Sequence, residues 1–148
     1  MPIKKILVAT DGSEHAKKAF DMSLEIAEKF NSNIILLNVI PEPVVKDYKG
    51  LLDEKEFEGS EEIVEERRRL LEGEANRARE GSPDVEISTR LVQGPVVDMI
   101  INTAQSESVN LIALGHKGLH LTAEIIMGSV TRKIAQKTDT PLLIVRAS

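Results

Sequence analysis

The chain has 148 residues, 41% of them hydrophobic but only 3% aromatic, which suits one domain of ordinary size with an aliphatic core. It has no cysteine, which excludes disulfides, thiolate metal sites and cysteine nucleophiles and fits a reducing, cytoplasmic setting. The formal charge of −5 is concentrated in residues 42–80, where 13 acids stand against 8 bases, so no basic face is offered to nucleic acid, and no run approaches the roughly 20 apolar residues of a membrane helix.

Residues 3–9 (IKKILVA) end in an apolar run that reads as a buried strand. TDGSE follows as a turn and helix start, with Ser13 or Asp11 available as the cap. Ala16, Ala19, Phe20, Leu24, Ala27 and Phe30 then recur at helical spacing, which leaves His15 on the exposed side. NSN breaks that helix. IILLNVI, residues 34–40, is a second apolar strand, and Pro41 and Pro43 end it. Residues 41–58 carry no period and read as a long loop with room for a helical turn, a lid or an interaction segment. Residues 59–80 read as a charged helix with a thin stripe of Ile63, Leu70 and Leu71. Its RRR at 67–69 is bracketed by glutamates and reads as a solvated face.

VEISTRLV, residues 85–92, alternates apolar and polar and reads as a strand with one wet face. Gly94-Pro95 opens a helix whose inner face is Val96, Ile100, Ile101 and Ala104. LIAL, residues 111–114, is a fourth strand. VTRKIAQK after Ser129 is a fourth helix, and LLIV, residues 142–145, is the last strand. Strands that are mostly apolar on both faces, alternating with helices, argue for a parallel sheet covered on both sides.

In such sheets ligands bind beyond the carboxyl ends of the strands, where strand order reverses. Strands one and four are the natural flanks. Three segments then converge: Ala9, Thr10 and Asp11; the end of strand two around Val39; and the stretch GHKGLHLTAEIIMGS, residues 115–129. That stretch holds Gly115, Gly118 and Gly128, three of the nine glycines in the chain. Glycine permits close approach of backbone to a ligand, and Gly128-Ser129 stands directly before a helix, whose N-terminus is an anion site. His116, His120 and Lys117 could add positive charge. Asp11 either caps the first helix or accepts hydrogen bonds from ribose hydroxyls. Ser129 is either a cap or a phosphate donor. The histidines read as loop residues rather than metal ligands, and Met99 and Met127 as core fillers. Nothing resembles G-x-x-x-x-G-K-[ST], G-x-G-x-x-G, G-x-S-x-G or H-E-x-x-H.

The spacing G-x2-G-x9-G-S followed by VTRKIAQKTDTPLLIV resembles the nucleotide-binding signature of the universal stress protein family. ILVATDGSEHAKKAF resembles that family's first strand, acidic turn and helix, and the Gly94–Ile100 segment is similar as well. His116 stands where the family often has a small polar residue, and Asn110 where it often has Asp. The resemblance implies one domain over residues 1–148, an open five-stranded parallel sheet of order 3-2-1-4-5 with helices on both faces. Such a sheet is Rossmann-like and of the adenine nucleotide alpha-hydrolase-like kind. It also implies ATP, with Mg²⁺ on its phosphates, and a homodimer, for which the edge strand Leu142–Val145 is the candidate seam.

Carried over by position, Asp11 would meet the ribose, with Ala9 and Thr10 beside it, and Val39 backbone the adenine. Gly115, Gly118, Gly128, Ser129 and Val130 would hold ribose and phosphates, with His116, Lys117 and Thr131 alongside. Three functions are weighed: a cytoplasmic ATP-binding regulatory module with slow or no hydrolysis, serving an unknown protein client; a dimeric interaction module without nucleotide; and a weak ATPase.

Overall fold

The structure is a computed structural model and describes residues 2–41, 54–118 and 127–147. Five strands, β1 (Lys5–Ala9), β2 (Asn33–Ile40), β3 (Ile87–Gln93), β4 (Leu111–Gly115) and β5 (Leu142–Val145), form one parallel sheet of order β3-β2-β1-β4-β5. The order that the resemblance implies is the order found. The helices between them are α1 (Glu14–Phe30), α2 (Glu54–Gly81), α3 (Val96–Ser106) and α4 (Ser129–Lys137).

Side chains alternate across a strand, so the sheet has two cores. On one face Ile6, Val8, Ile34, Leu36 and Ile87 pack with Ala19, Phe20 and Ala27 of α1 and Leu71, Ala75 and Ala78 of α2. On the other, Leu7, Ile35, Leu37, Ile112 and Leu114 pack with Ile100 and Ala104 of α3 and Ile134 of α4. The three inner strands are therefore covered twice, which is why β2 is buried at every position after Asn33. β3, at one edge, alternates as expected, with Ile87 buried and Ser88 and Arg90 exposed.

Local chemistry sets the breaks. Ser13 caps α1, its hydroxyl accepting from Ala16 N–H at 3.2 Å. Asn31 ends that helix in the left-handed region at φ 57°, as a short polar side chain tolerates. Asn110 accepts from the N–H groups of Lys4 and Lys5 at 2.8 and 2.9 Å and pins the entry of β1 beside β4.

Three expectations are corrected. α2 begins at Glu54, inside the segment 41–58 read as a loop; residues 42–53 lie outside the described residues. The buried stripe of α2 is Leu71, Ala75 and Ala78, while Ile63 and Leu70 are exposed, because small alanines let the helix lie close to the sheet. His15 is half-buried, not exposed: its Nδ1 accepts from Ala147 N–H at 3.0 Å, which ties the last residues to α1.

Candidate functional site

The chain leaves β1 and turns to one face through α1, and it leaves β4 and turns to the other. A crevice opens at the carboxyl ends between them. It is a cavity of about 370 Å³. Its walls hold Ala9, Thr10 and Asp11 from the β1 turn, Val39 from β2, Gly115, Lys117 and Gly118 after β4, and Gly128, Ser129, Val130 and Thr131 at the start of α4. Eleven of the twelve site residues read from the sequence therefore meet around one space.

His116, the twelfth, is not among the described lining residues. Its ring is buried, 6.1 Å from the ring of His15, and Nδ1 has no hydrogen-bond partner among the described residues. Burial pushes its pKa below the ordinary 6.5, and Arg146, Lys117 and His15 add to the shift. The main chain at this position is a junction instead. His116 N–H donates to Val145 O at 2.7 Å, and His116 O accepts from Gly128 N–H at 2.9 Å. His120, with the rest of 119–126, lies outside the described residues.

The glycines have different reasons to be glycine. A Cβ at Gly115 would lie 2.7 Å from Ala16 N and 2.8 Å from the His15 carbonyl carbon, both backbone, so this residue is dictated by the packing of β4 on α1. Thr131 closes the same point from α4, its hydroxyl donating to Gly115 O at 2.9 Å. Among the described residues, a Cβ at Gly118 would meet the Asp11 carboxylate, 2.5 Å from Oδ2. Gly118 thus faces Asp11 across the mouth of the crevice. Gly128 precedes α4 in extended conformation, and as the cap residue it has no side chain to bond the first turn of that helix. Its first turn keeps N–H groups and a positive dipole end for an anion.

The turn after β1 is tightly organised. Asp11 Oδ1 accepts from Ser13 N–H at 2.9 Å, so Asp11 shapes the turn while Ser13 is the cap. Gly12 takes φ +84°, which favours glycine. Thr10 N–H donates to Leu37 O at 2.8 Å, and Thr10 O accepts from the Asn38 amide at 2.6 Å.

Several lining residues escaped the sequence reading: Ser13, Leu37, Pro41, Leu114 and, above all, Arg67. Arg67 is half-buried and donates to Asn38 Oδ1 at 3.3 Å. The run RRR is therefore not uniformly solvated. Arg68 pairs with Glu65 at 3.7 Å near the surface, while Arg67 is turned to the carboxyl end of β2. One sign was readable: Arg67, Leu70, Glu74 and Arg77 recur at helical spacing beside the buried alanine stripe. A second cavity, of about 360 Å³, lies there and shares Thr10, Asp11 and Arg67 with the first.

Residues 2–146 match the profile of the universal stress protein family. Among curated relatives, the universal stress protein YxiE of Bacillus subtilis is 32% identical, the match covering 96% of this chain and 98% of the relative. A universal stress protein of Thermus aquaticus is also 32% identical, over 97% of this chain and 98% of its own. Among solved structures, protein MJ0577 superposes with a TM-score of 0.81 at 29% identity, over 99% of this chain and 97% of that one. A universal stress protein in complex with cAMP superposes with a TM-score of 0.67 at 26% identity, over the whole of both chains.

Proposed function

From the chain's membership of the universal stress protein family, to which it belongs along almost its full length, we propose that the crevice binds an adenine nucleotide, ATP with Mg²⁺ on its phosphates. The single observation that carries this reading is that eleven residues from four separate segments line one cavity. A volume of about 370 Å³ falls in the range of about 300–1,000 Å³ usual for small-ligand sites. Leu37 and Val39 of β2, with Val96 and Ile100 of α3, offer apolar walls to a base. Val39 main chain would meet the base edge, and Asp11 with Gly118 the ribose. The start of α4, from Gly128 to Thr131, with Lys117 nearby, suits phosphates. The neighbour solved with cAMP supports an adenine nucleotide as the ligand class.

Binding with slow or no hydrolysis fits the charges. Asp11 is the one carboxylate among the described lining residues, and it is held by Ser13 N–H. The protein would act as a regulatory module in the cytoplasm. ATP would bias loops around the crevice through differential affinity for two states. The homodimer would form along the edge strand β5, Leu142–Val145. No described helix is long and apolar enough to cross a membrane. The test is calorimetric titration with Mg-ATP of the parent and Asp11→Ala, beside a turnover assay. Saturable binding by the parent, weakened at least tenfold in the variant, supports the reading. Equal binding by both removes Asp11 from the site, and Asp11-dependent turnover at an ordinary enzymatic rate replaces a switch with an ATPase.

A further inference from the structure

The turn that presents Asp11 is held from behind by α2, which packs on the sheet face opposite α3 and α4. Thr10 is buried, and all its polar groups are engaged. Its hydroxyl donates to the Glu74 carboxylate, 3.3 Å from Oε2 and 3.5 Å from Oε1. The same hydroxyl oxygen accepts from Gly12 N–H at 3.1 Å. Its carbonyl accepts from Asn38, which in turn accepts from Arg67. Two side chains of α2, seven residues apart on one helical face, thus converge on the residue before Asp11.

We propose that Glu74 is a positioning residue for the nucleotide pocket: through the Thr10 hydroxyl it fixes the Gly12 turn and so the direction in which Asp11 is offered to the ligand. The proposal rests on the nucleotide reading of the crevice for its functional consequence, and on the hydrogen bonds for its mechanism. The direction of those bonds is what requires an acid. An ionised carboxylate only accepts, so Thr10 must give it its one proton and keeps lone pairs for Gly12 N–H. A protonated Glu74 can donate to the Thr10 oxygen and compete with Gly12. It also gives up a charge-assisted bond for a neutral one.

Glu74 is placed to titrate. The second cavity, of about 360 Å³, gives solvent access to it. Burial raises its pKa above the usual carboxylate value, opposed by Thr10, Lys17 of α1 and Arg77 of α2, and assisted by Asp11 of the turn. Arg67 of α2 faces the same cavity. Protonation of Glu74 therefore begins at a higher pH than for an ordinary glutamate, and loosening of the turn begins with it.

The experiment compares the parent, Glu74→Gln, Glu74→Ala and Thr10→Val. Mg-ATP is titrated into each from about pH 8 to about pH 5, a range that reaches down toward the ordinary Glu value of about 4.3. Gly12 amide exchange is followed by NMR without ligand. Expected at about pH 8 is an affinity loss of about tenfold for Ala and Val, and less than about threefold for Gln, whose amide oxygen still accepts from Thr10. The parent should lose affinity relative to Gln as pH falls, a ratio from which the titration of ATP itself cancels. Gly12 exchange should quicken in Ala and Val and stay slow in Gln.

Unchanged Gly12 exchange in folded Glu74→Ala overturns the proposal, whatever ATP does. Should Glu74→Ala not fold, a pH-independent parent-to-Gln ratio overturns it instead. Quickened Gly12 exchange in Glu74→Ala, beside a parent that ignores ATP at every pH, keeps the positioning role and removes the nucleotide reading.

Discussion

At the scale of single residues, Gly115 and Gly118 belong to one sequence signature but do different work, and substitution separates them. Gly115→Ala places a methyl group against backbone of α1 at 2.7 and 2.8 Å, where nothing flexible can yield. Overpacking of this kind costs about 1–3 kcal/mol. The midpoint of urea unfolding should fall accordingly with the slope unchanged. Among the described residues, Gly118→Val meets the Asp11 carboxylate, 2.5 Å from Oδ2, and strains the bond that this side chain accepts from Ser13 N–H. Its urea midpoint should fall less than that of Gly115→Ala, while affinity for Mg-ATP drops at least tenfold because Asp11 is displaced and the crevice narrowed. A Gly118→Val protein that binds ATP as the parent does would place the ligand elsewhere. The sequence marked both glycines as special, but spacing alone cannot say whether a missing Cβ makes room for a ligand or for a neighbouring helix. The spacing of Arg67 and Glu74 was legible, but what they reach was not, for a related reason. A charged side chain on a charged helix looks solvated until the strand end that it reaches is known.

At the scale of elements, the end of β4 is a junction of four pieces. Gly115 packs on α1, Thr131 of α4 bonds to Gly115 O, Gly128 before α4 bonds to His116 O, and His116 N–H bonds to β5. The buried His116 ring sits at this junction, its pKa lowered chiefly by burial. A base whose folded pKa is lowered contributes fully above its unfolded value. That contribution is lost as pH falls from about 6.5 toward the folded value. The parent should therefore lose stability below about pH 6.5. His116→Leu, which keeps volume and removes the titration, should lose less over the same interval in urea unfolding at stepped pH. Parallel curves would show that His116 does not carry this dependence. The elements themselves were readable, since apolar β-branched runs and amphipathic stretches lie at distinct periods. The start of α2 was not. Its first turns hold Glu54, Lys55, Glu56 and Glu58 with little apolar spacing, so no period separates helix from loop there.

At the scale of the whole molecule, strand order places the crevice; alternation of strands and helices gave the parallel sheet, and the order came from a family likeness. The sheet ends in β3 on one side and β5 on the other. β5 is four residues long and half-buried over its first three, a short apolar edge suited to pairing with a second copy. Light scattering should then give a mass of twice 16.3 kDa at micromolar concentration. A mass of 16.3 kDa would leave β5 as a plain edge. The central claim is that the crevice between β1 and β4 holds an adenine nucleotide. Its most direct test is to denature the purified protein, identify any released small molecule by mass spectrometry, and titrate the emptied, refolded protein with Mg-ATP. We expect ATP or another adenine nucleotide to be released or to bind saturably with one site per chain. A protein that carries none and ignores ATP, while folded, would contradict the claim and leave its glycines with only a loop to shape.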